Sequence, residues 1–443
     1  MGTLYEDVRS SNNLHEAWRH VKKSALTSSN GTIRGSASEF EHQHQRHLRT
    51  IQDQLRTGRF RFDDVEGVLK DKKERLAKGK DPRPIAIGTM RNRVVQRAVL
   101  QVLQPRKSLD PKSPNSRYEV RQDRRIGKLN AVNRSPFGVG GLLAPYGGVE
   151  PAIRHVMSAM EAGATHYFQS DIKAFFTKIP TKDVIEVIRT ETQDNQLTDL
   201  FAAALEVNLA NEQELQTYAR LFPKDGKGVA QGSSLSAFAG NVLLYDFDHE
   251  LNGMGVAAVR YIDDIFILGD DPTKLAVAVE FASDFFKRLS MSLYPPVPSS
   301  DKAASGLCRD AFNFLGCTIQ PRRCVPSSAS ITKMLSDVRD SFSRSKGAIR
   351  ELVSGADAFD PQLSRSATLD RIGRKLFGWE KSFSFATDAQ AFSHVDAKVA
   401  GYVENFEHEV SRILQPASLS VRMQALGIPS TQQLYQRDQA KRK

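Results

Sequence analysis

Cysteine is scarce in this chain of 443 residues: Cys308, Cys317 and Cys324 form an odd set, and no two make a CxxC pair. That usage excludes a disulfide-stapled scaffold, offers no zinc-site spacing and fits a reducing cytoplasm, the expected location. Long apolar runs are missing too, and none approaches the ~20 residues that a membrane helix needs. The opening residues, Met1-Gly2-Thr3-Leu4-Tyr5-Glu6-Asp7, have no basic start leading into an apolar stretch, so no secretory signal is expected. There is no internal repeat, no low-complexity tract and no GxxxxGK[ST] loop for a nucleotide. What remains is an ordinary folded composition, 40% hydrophobic and 26% charged, long enough for two or three domains.

Charge is present and unevenly placed. The chain carries +11, and between Arg83 and Arg134 thirteen Lys and Arg stand against Asp110, Glu119 and Asp123, a net +10. A local basic stripe is the footprint of a phosphate-backbone partner, although it also occurs as a merely solvated surface. Val94, Val95, Val99, Leu100, Val102 and Leu103 interleave the charges, so the segment is folded and a nucleic acid is the expected partner.

The N-terminal 75 residues read as polar helices, from Leu14 to Trp18 and from Phe40 to Leu55. His42, His44 and His47 fall there at spacings that do not repeat one helical face, which favours a solvated helix over a metal site. Lys80 to Ile87 is a Pro-limited turn entering a strand, followed by a helix from Arg91 to Leu103 that Pro105 ends. Ser135 to Gly148 is loop. Thr165 to Ile172 is a strand, Thr181 to Arg189 a helix with Thr181 as N-cap, and Leu197 to Leu221 a longer helix. Gly232-Ser233-Ser234 starts another helix with Leu235, Phe238, Val242 and Leu243 on its apolar face. Val256 to Gly269 is a hairpin, Lys274 to Leu289 a helix, and Phe312 to Ile319 a strand pair. From about 331 the pattern is helical to the end.

Three acids stand where apolar sequence is expected. Asp171 closes the strand Thr165 to Ser170, and Asp263-Asp264 sits between Ala257 to Ile262 and Ile265 to Leu268. Alone, the pair is as easily an acidic turn as a site. Two strand ends carrying carboxylates can meet in one sheet, however, and their repulsion is then cancelled by cations. Two Mg²⁺ ions bridging carboxylates are the common machinery for in-line displacement at phosphorus. Because neighbouring strand residues point to opposite faces, Asp171 and Asp263 are expected as the bridging ligands and Asp264 as support.

These residues resemble a known family. Tyr261-Ile262-Asp263-Asp264 looks like the YxDD box of reverse transcriptases, and Asp171-Ile172-Lys173-Ala174-Phe175-Phe176 resembles their first catalytic motif. Gly228 to Ser236 is similar to the motif whose glutamine, here Gln231, lies along the incoming nucleotide. Asp301-Lys302 resembles the motif with a lysine near the triphosphate, and Phe312 to Cys317 the primer grip, here Phe314, Leu315 and Gly316. Arg83-Pro84-Ile85 and Arg91 to Val99 are similar to the fingers of group II intron-like bacterial enzymes. The resemblance covers roughly residues 80 to 320.

It implies an α+β right-hand polymerase: an N-terminal helical extension (1–75), fingers (76–165), an antiparallel-sheet palm (166–325, with a helical insertion near 181–225) and a helical thumb with C-terminal extension (326–443). It implies catalytic Asp171, Asp263 and Asp264, with the Ile172 backbone joining them as metal ligands for two Mg²⁺ ions, for which Mn²⁺ can substitute. Arg83, Phe176, Gln231, Tyr261 and Lys302 would contact the nucleotide, with Phe176 as the gate against a 2′-hydroxyl. Three departures stand out: Ala230 replaces a proline, Thr177 replaces a frequent acid, and the Phe137-Gly138 segment lacks a following arginine. Neither the thumb VTG signature of retron enzymes nor an endonuclease module is seen, so the likeness is to stand-alone, defence-associated enzymes. The expected function is RNA-directed DNA synthesis from dNTPs on a dedicated non-coding RNA in anti-phage defence, with RNA template, DNA primer or product and dNTPs as partners, no membrane partner, and oligomerisation left open. Template-independent or protein-primed synthesis, or a non-catalytic RNA-binding scaffold, are the alternatives.

Overall fold

Val94, Val95, Ala98, Val99 and Leu103 line one half of the helix Met90–Leu103, and all are fully buried. An apolar face that wide must be covered by more than one neighbour. In the computed structural model, which describes residues 2–440 except 29, 78, 109–117, 299 and 357, Ser11–Ala25 covers one side with Leu14, Ala17, Trp18 and Val21. Asn195–Leu205 covers another with Phe201. Asn13 Nδ2 even donates to the Ala98 carbonyl (3.0 Å). The N-terminal helices therefore share one core with the residues that follow them.

The chain divides into two compact units, Met1–Leu307 and Cys308–Lys443. In the first, strands β1 (Glu66–Lys70) and β2 (Arg83–Ile87) pair antiparallel, as do β3 (Arg106–Ser108) and β4 (Tyr118–Val120). The main sheet is built on β5 (His166–Lys173), with β6 (Ala257–Tyr261), β7 (Asp264–Gly269), β8 (Ser292–Leu293) and β9 (Ala303–Leu307), in the order β6-β7-β5-β8 with β9 also on β5. Every pairing is antiparallel. Phe168, Ile172, Ile265 and Ile267 of this sheet join the core with Phe238, Phe247 and Phe286 of the helices Ser236–Gly253 and Pro272–Arg288. The fold is thus the expected mixture of helices and antiparallel sheet.

Folding changes the meaning of the basic stripe. Arg91 pairs with Asp63, Arg106 with Glu16, Lys128 with Asp246, and Arg125 with both Asp7 and Asp123. Burial, with Arg106 nearby, pushes Arg97 down to about 10. Part of the net charge that is local in sequence is thus paired with acids distant in sequence, Asp63, Glu16, Asp246 and Asp7.

Several local expectations are corrected. Thr181 is not an N-cap: the helix is Thr181–Thr192, and the Thr181 hydroxyl donates to the Gly226 carbonyl (2.9 Å). The segment from Leu197 to Leu221 is not one helix. It breaks after Leu205 because Asn208 and Ala210 hydrogen-bond to Val65, and it resumes as Glu212–Leu215 and the tight turn Gln216–Leu221. The helix expected at Gly232 begins at Ser236, and its buried face carries Leu244 rather than Leu243. Phe40 to Leu55 is two helices, Gly31–His42 and His44–Arg56, and His47 stacks on Phe40 (4.7 Å).

The second unit opens with β10 (Phe312–Phe314), β11 (Cys317–Gln320) and β12 (Arg323–Pro326), antiparallel in that order. Helices follow, beginning with Ser328–Val353, Arg365–Ser382 and Gln390–Leu414. Met334, Val338, Phe342 and Ile349 lie on one face and meet Val395, Val399, Phe406 and Val410. The Phe342 and Phe406 rings sit 4.5 Å apart. The strand pair carrying Phe314, Leu315 and Gly316 therefore belongs to the same unit as the C-terminal helices.

Candidate active site

The ladder between β5 and β7 places Asp171 directly opposite Asp264. Directly opposed residues of an antiparallel pair share a face, so both carboxyls leave the sheet on the side away from Ile172 and Ile265. Tyr261 and Asp264 close a two-residue hairpin loop made of Ile262 and Asp263. Ile262 has φ +61°, a left-handed value that is costly for a β-branched residue. Asp263 is thus a turn residue rather than a strand residue. The alternation argument that ranked it above Asp264 does not apply, because alternation ends where the strand does.

The turn is pinned from both sides. Ile172 N–H donates to the Asp263 carbonyl (2.7 Å), and Asp171 N–H to the Lys302 carbonyl (2.9 Å). Lys302 Nζ pairs with Asp171 Oδ2, while the Asp264 carboxyl hydrogen-bonds Asp171. Burial, then the Asp171 bond and its charge, push Asp264 up to about 8. Burial also raises Asp263, with Asp171 adding and Lys302 and Arg83 opposing. For Lys302 burial works downward, but the Asp171 bond and the three carboxylate charges carry it above its ordinary value. Burial and Asp264 together raise the Tyr261 hydroxyl. Three crowded acids relieved by one shared proton and one ammonium are a site chemically suited to cations.

The other candidates adjoin in sequence of contacts. Ala174, at φ +61°, turns the chain into the short helix Phe175–Lys178. Phe175 takes the core seat, packing on Gly240, where a Cβ would meet its ring at 2.6 Å; Phe176 stays half-buried. The Phe176 carbonyl accepts from Val229 N–H (2.7 Å), and the Gln231 carbonyl from Ala86 N–H (3.3 Å). The loop Gly228 to Ser233 thereby links Phe176 to β2, whose exposed first residue is Arg83. Arg83, Phe176, Gln231, Tyr261, Lys302 and the three aspartates all lie in the first unit. Phe314, Leu315 and Gly316 lie in the second, where Leu315 (φ +46°) and Gly316 (φ +79°) form the β10–β11 turn.

Sequence reading missed a buried polar group under the hairpin. Arg260, 1% exposed, donates from Nε and Nη2 to Asp248 (2.9 and 2.6 Å) and from Nη1 to the Ile262 carbonyl (2.9 Å). The signal was present: Asp248 stands on the same helical stripe as Leu244 and Leu251, and Arg260 inside an apolar strand.

Against known families, residues 70–319 match the family described as "Reverse transcriptase (RNA-dependent DNA polymerase)". This chain belongs to the reverse transcriptase family. That family works with divalent metal ions. Among the described residues no group of three or more His, Cys, Asp or Glu is already drawn together around a metal position; Asp171 instead pairs with Lys302. Solved structures similar to this chain include the "Partial Cas6-RT-Cas1--Cas2 complex" (18% identity, 65% of this chain and 42% of that one, TM-score 0.35). The "Cas6-RT-Cas1--Cas2 complex" also matches (13% identity, 91% and 50%, TM-score 0.35). So does telomerase from Candida albicans with a fragment of telomeric RNA (9% identity, 82% and 60%, TM-score 0.38). The chain spans half or less of the two Cas6-RT-Cas1 chains. No curated protein matches it.

Proposed function

We propose that this chain adds deoxynucleotides to a primer 3′ end on an RNA template. The observation that carries the reading is the β5–β7 register, which sets Asp171 opposite Asp264 with Asp263 in the adjoining turn. Two Mg²⁺ ions held by Asp171, Asp263 and Asp264 with the Ile172 carbonyl, or Mn²⁺ in their place, would activate the 3′-hydroxyl and steady the leaving pyrophosphate. The protein supplies positioning and charge, with no covalent chemistry of its own. Lys302 and Arg83 put positive charge beside the aspartates, where the triphosphate brings negative charge. Phe176 excludes a 2′-hydroxyl, Gln231 lies along the nucleotide and Tyr261 flanks it. Phe314, Leu315 and Gly316 are assigned to the primer by resemblance.

The test is extension of oligo(dT) on poly(rA) with dTTP and Mg²⁺. Asp263→Ala is expected to abolish incorporation while leaving RNA binding largely intact. Incorporation retained by the purified variant refutes the assignment. The motif resemblance to stand-alone bacterial enzymes extends the proposal to a dedicated non-coding RNA in anti-phage defence. Sequencing the RNA and DNA that co-purify tests this, and a heterogeneous RNA population without complementary DNA counts against it.

A further inference from the structure

The group beneath the hairpin joins elements far apart in sequence. Arg260 lies on β6, while Asp248 (4% exposed) and Asn241 (2% exposed) lie on the helix Ser236–Gly253. Asp248 takes two guanidinium N–H groups, and Asn241 Oδ1 receives Nη1 at 3.3 Å. A guanidinium sealed from water needs a partner for each donor, and its planar fork fixes where those partners stand. One of them is the Ile262 carbonyl.

The segment Phe137 to Gly140 closes the other side. Arg260 N–H donates to the Phe137 carbonyl (2.7 Å), Val139 N–H to the Arg260 carbonyl (2.9 Å), and Asn241 Nδ2 to the Gly140 carbonyl (2.7 Å). A Cβ on Gly138 would meet Asp248 Oδ2 at 2.5 Å and Arg260 Nη2 at 2.6 Å, and one on Gly140 would run into the Ile262 nitrogen. Nothing larger than glycine fits either place unless a neighbour moves.

Both peptide carbonyls of the turn are therefore held: that of Asp263 by Ile172 N–H in front, that of Ile262 by Arg260 behind. Ile262 is the residue in the unfavourable left-handed conformation, so the turn keeps its shape only under such restraint. The Asp263 carboxylate is one residue further on. We propose that Arg260, locked by Asp248 and Asn241, is a positioning residue that sets where the Asp263 carboxylate stands relative to Asp171. The inference rests on the reading of these aspartates as the reacting site.

The test uses the full chain and three variants. Arg260→Lys keeps the charge against Asp248 but loses the fork. Gly140→Ala pushes on the same turn from the other side. The pair Arg260→Met with Asp248→Leu removes both charges at similar volume, so that no ion is left buried alone. Each is read by kcat and KM for dTTP on poly(rA)·oligo(dT), by primer–template affinity, by Mn²⁺ titration followed by electron paramagnetic resonance, and by melting. The expected result is a loss of roughly 10–100-fold in kcat and in Mn²⁺ affinity in all three, as for residues that orient a ligand through another. KM and primer–template affinity stay within about twofold, the signature of an effect confined to the reacting geometry. The double variant should melt close to the parent and still show that loss of kcat, which a purely structural pair would not show. Parental kcat and Mn²⁺ affinity in the double variant, or in folded Gly140→Ala, overturn the proposal. Should the parent bind Mn²⁺ in an Asp263-dependent way yet add no dTTP, the polymerase reading fails while Mn²⁺ affinity still decides the role of Arg260. A parent that does neither refutes both.

Discussion

Asp246 and Asp248 are two residues apart on one helix, each in an ion pair, and replacing either with alanine removes the same chemistry from very different surroundings. The Asp246–Lys128 pair is open to water, with side chains 78% and 42% exposed. Exposed pairs contribute about 0–1 kcal/mol, because water and salt screen the charges and holding two side chains costs entropy. The Asp248–Arg260 pair is 4% and 1% exposed. Asp248→Ala leaves a guanidinium buried with two donors unmet, and breaking such a pair costs about 3–5 kcal/mol. Stability changes shift the melting temperature by about 2 °C per kcal/mol in a unit of this size. Asp248→Ala should therefore melt roughly 6–10 °C below the parent and Asp246→Ala within about 2 °C of it. Scanning calorimetry, with urea midpoints as a second measure, reads both. Equal shifts would refute the argument that burial, rather than pairing as such, sets the contribution. Adding Arg260→Met to an Asp248→Leu chain should recover most of the loss, since no lone charge then remains.

In metal-free protein the Asp264 carboxyl titrates at about 8 rather than 3.8. The folded state then holds a proton that the unfolded state has released, so the contribution of this group to stability falls as pH rises from about 4 to about 8. With a chelator present, melting should drop between about pH 6 and pH 8.5 more steeply in the parent than in Asp264→Asn; equal slopes would exclude it. Gly228, at φ +84°, has the Thr177 and Phe176 carbonyls 3.0 and 3.2 Å from where a Cβ would stand. Gly228→Ala should cost about 1–3 kcal/mol and raise KM for dNTP by moving Phe176; unchanged melting and KM together contradict this. Phe176→Ala should relax the preference for dTTP over UTP by about tenfold or more in single-turnover incorporation, and unchanged discrimination removes the gate.

Periodicity made the helix Met90–Leu103, the strand β5 and the hairpin of Tyr261-Ile262-Asp263-Asp264 legible, because each is decided by residues within one turn or one alternation of its neighbours. The Leu197 to Leu221 helix failed for the opposite reason: its break is made by hydrogen bonds to Val65, which no local pattern announces. The same division runs through the site. Asp171, Asp263 and Asp264 stood out as charges in apolar surroundings, and the motifs around them resemble, in order, the family that residues 70–319 match. Asp248 and Arg260 carried the same mark, yet a lone buried charge cannot be interpreted until its partner is known.

Chain chemistry by itself determined the element types, the acids and the excess of positive charge, since these follow from side-chain identity and short-range geometry. Tertiary structure alone decided which carboxyl faces which, and that part of the basic stripe is spent on internal pairs. Register, burial and ion pairing are relations between residues distant in sequence, and only the folded chain brings them within the few ångströms over which they act.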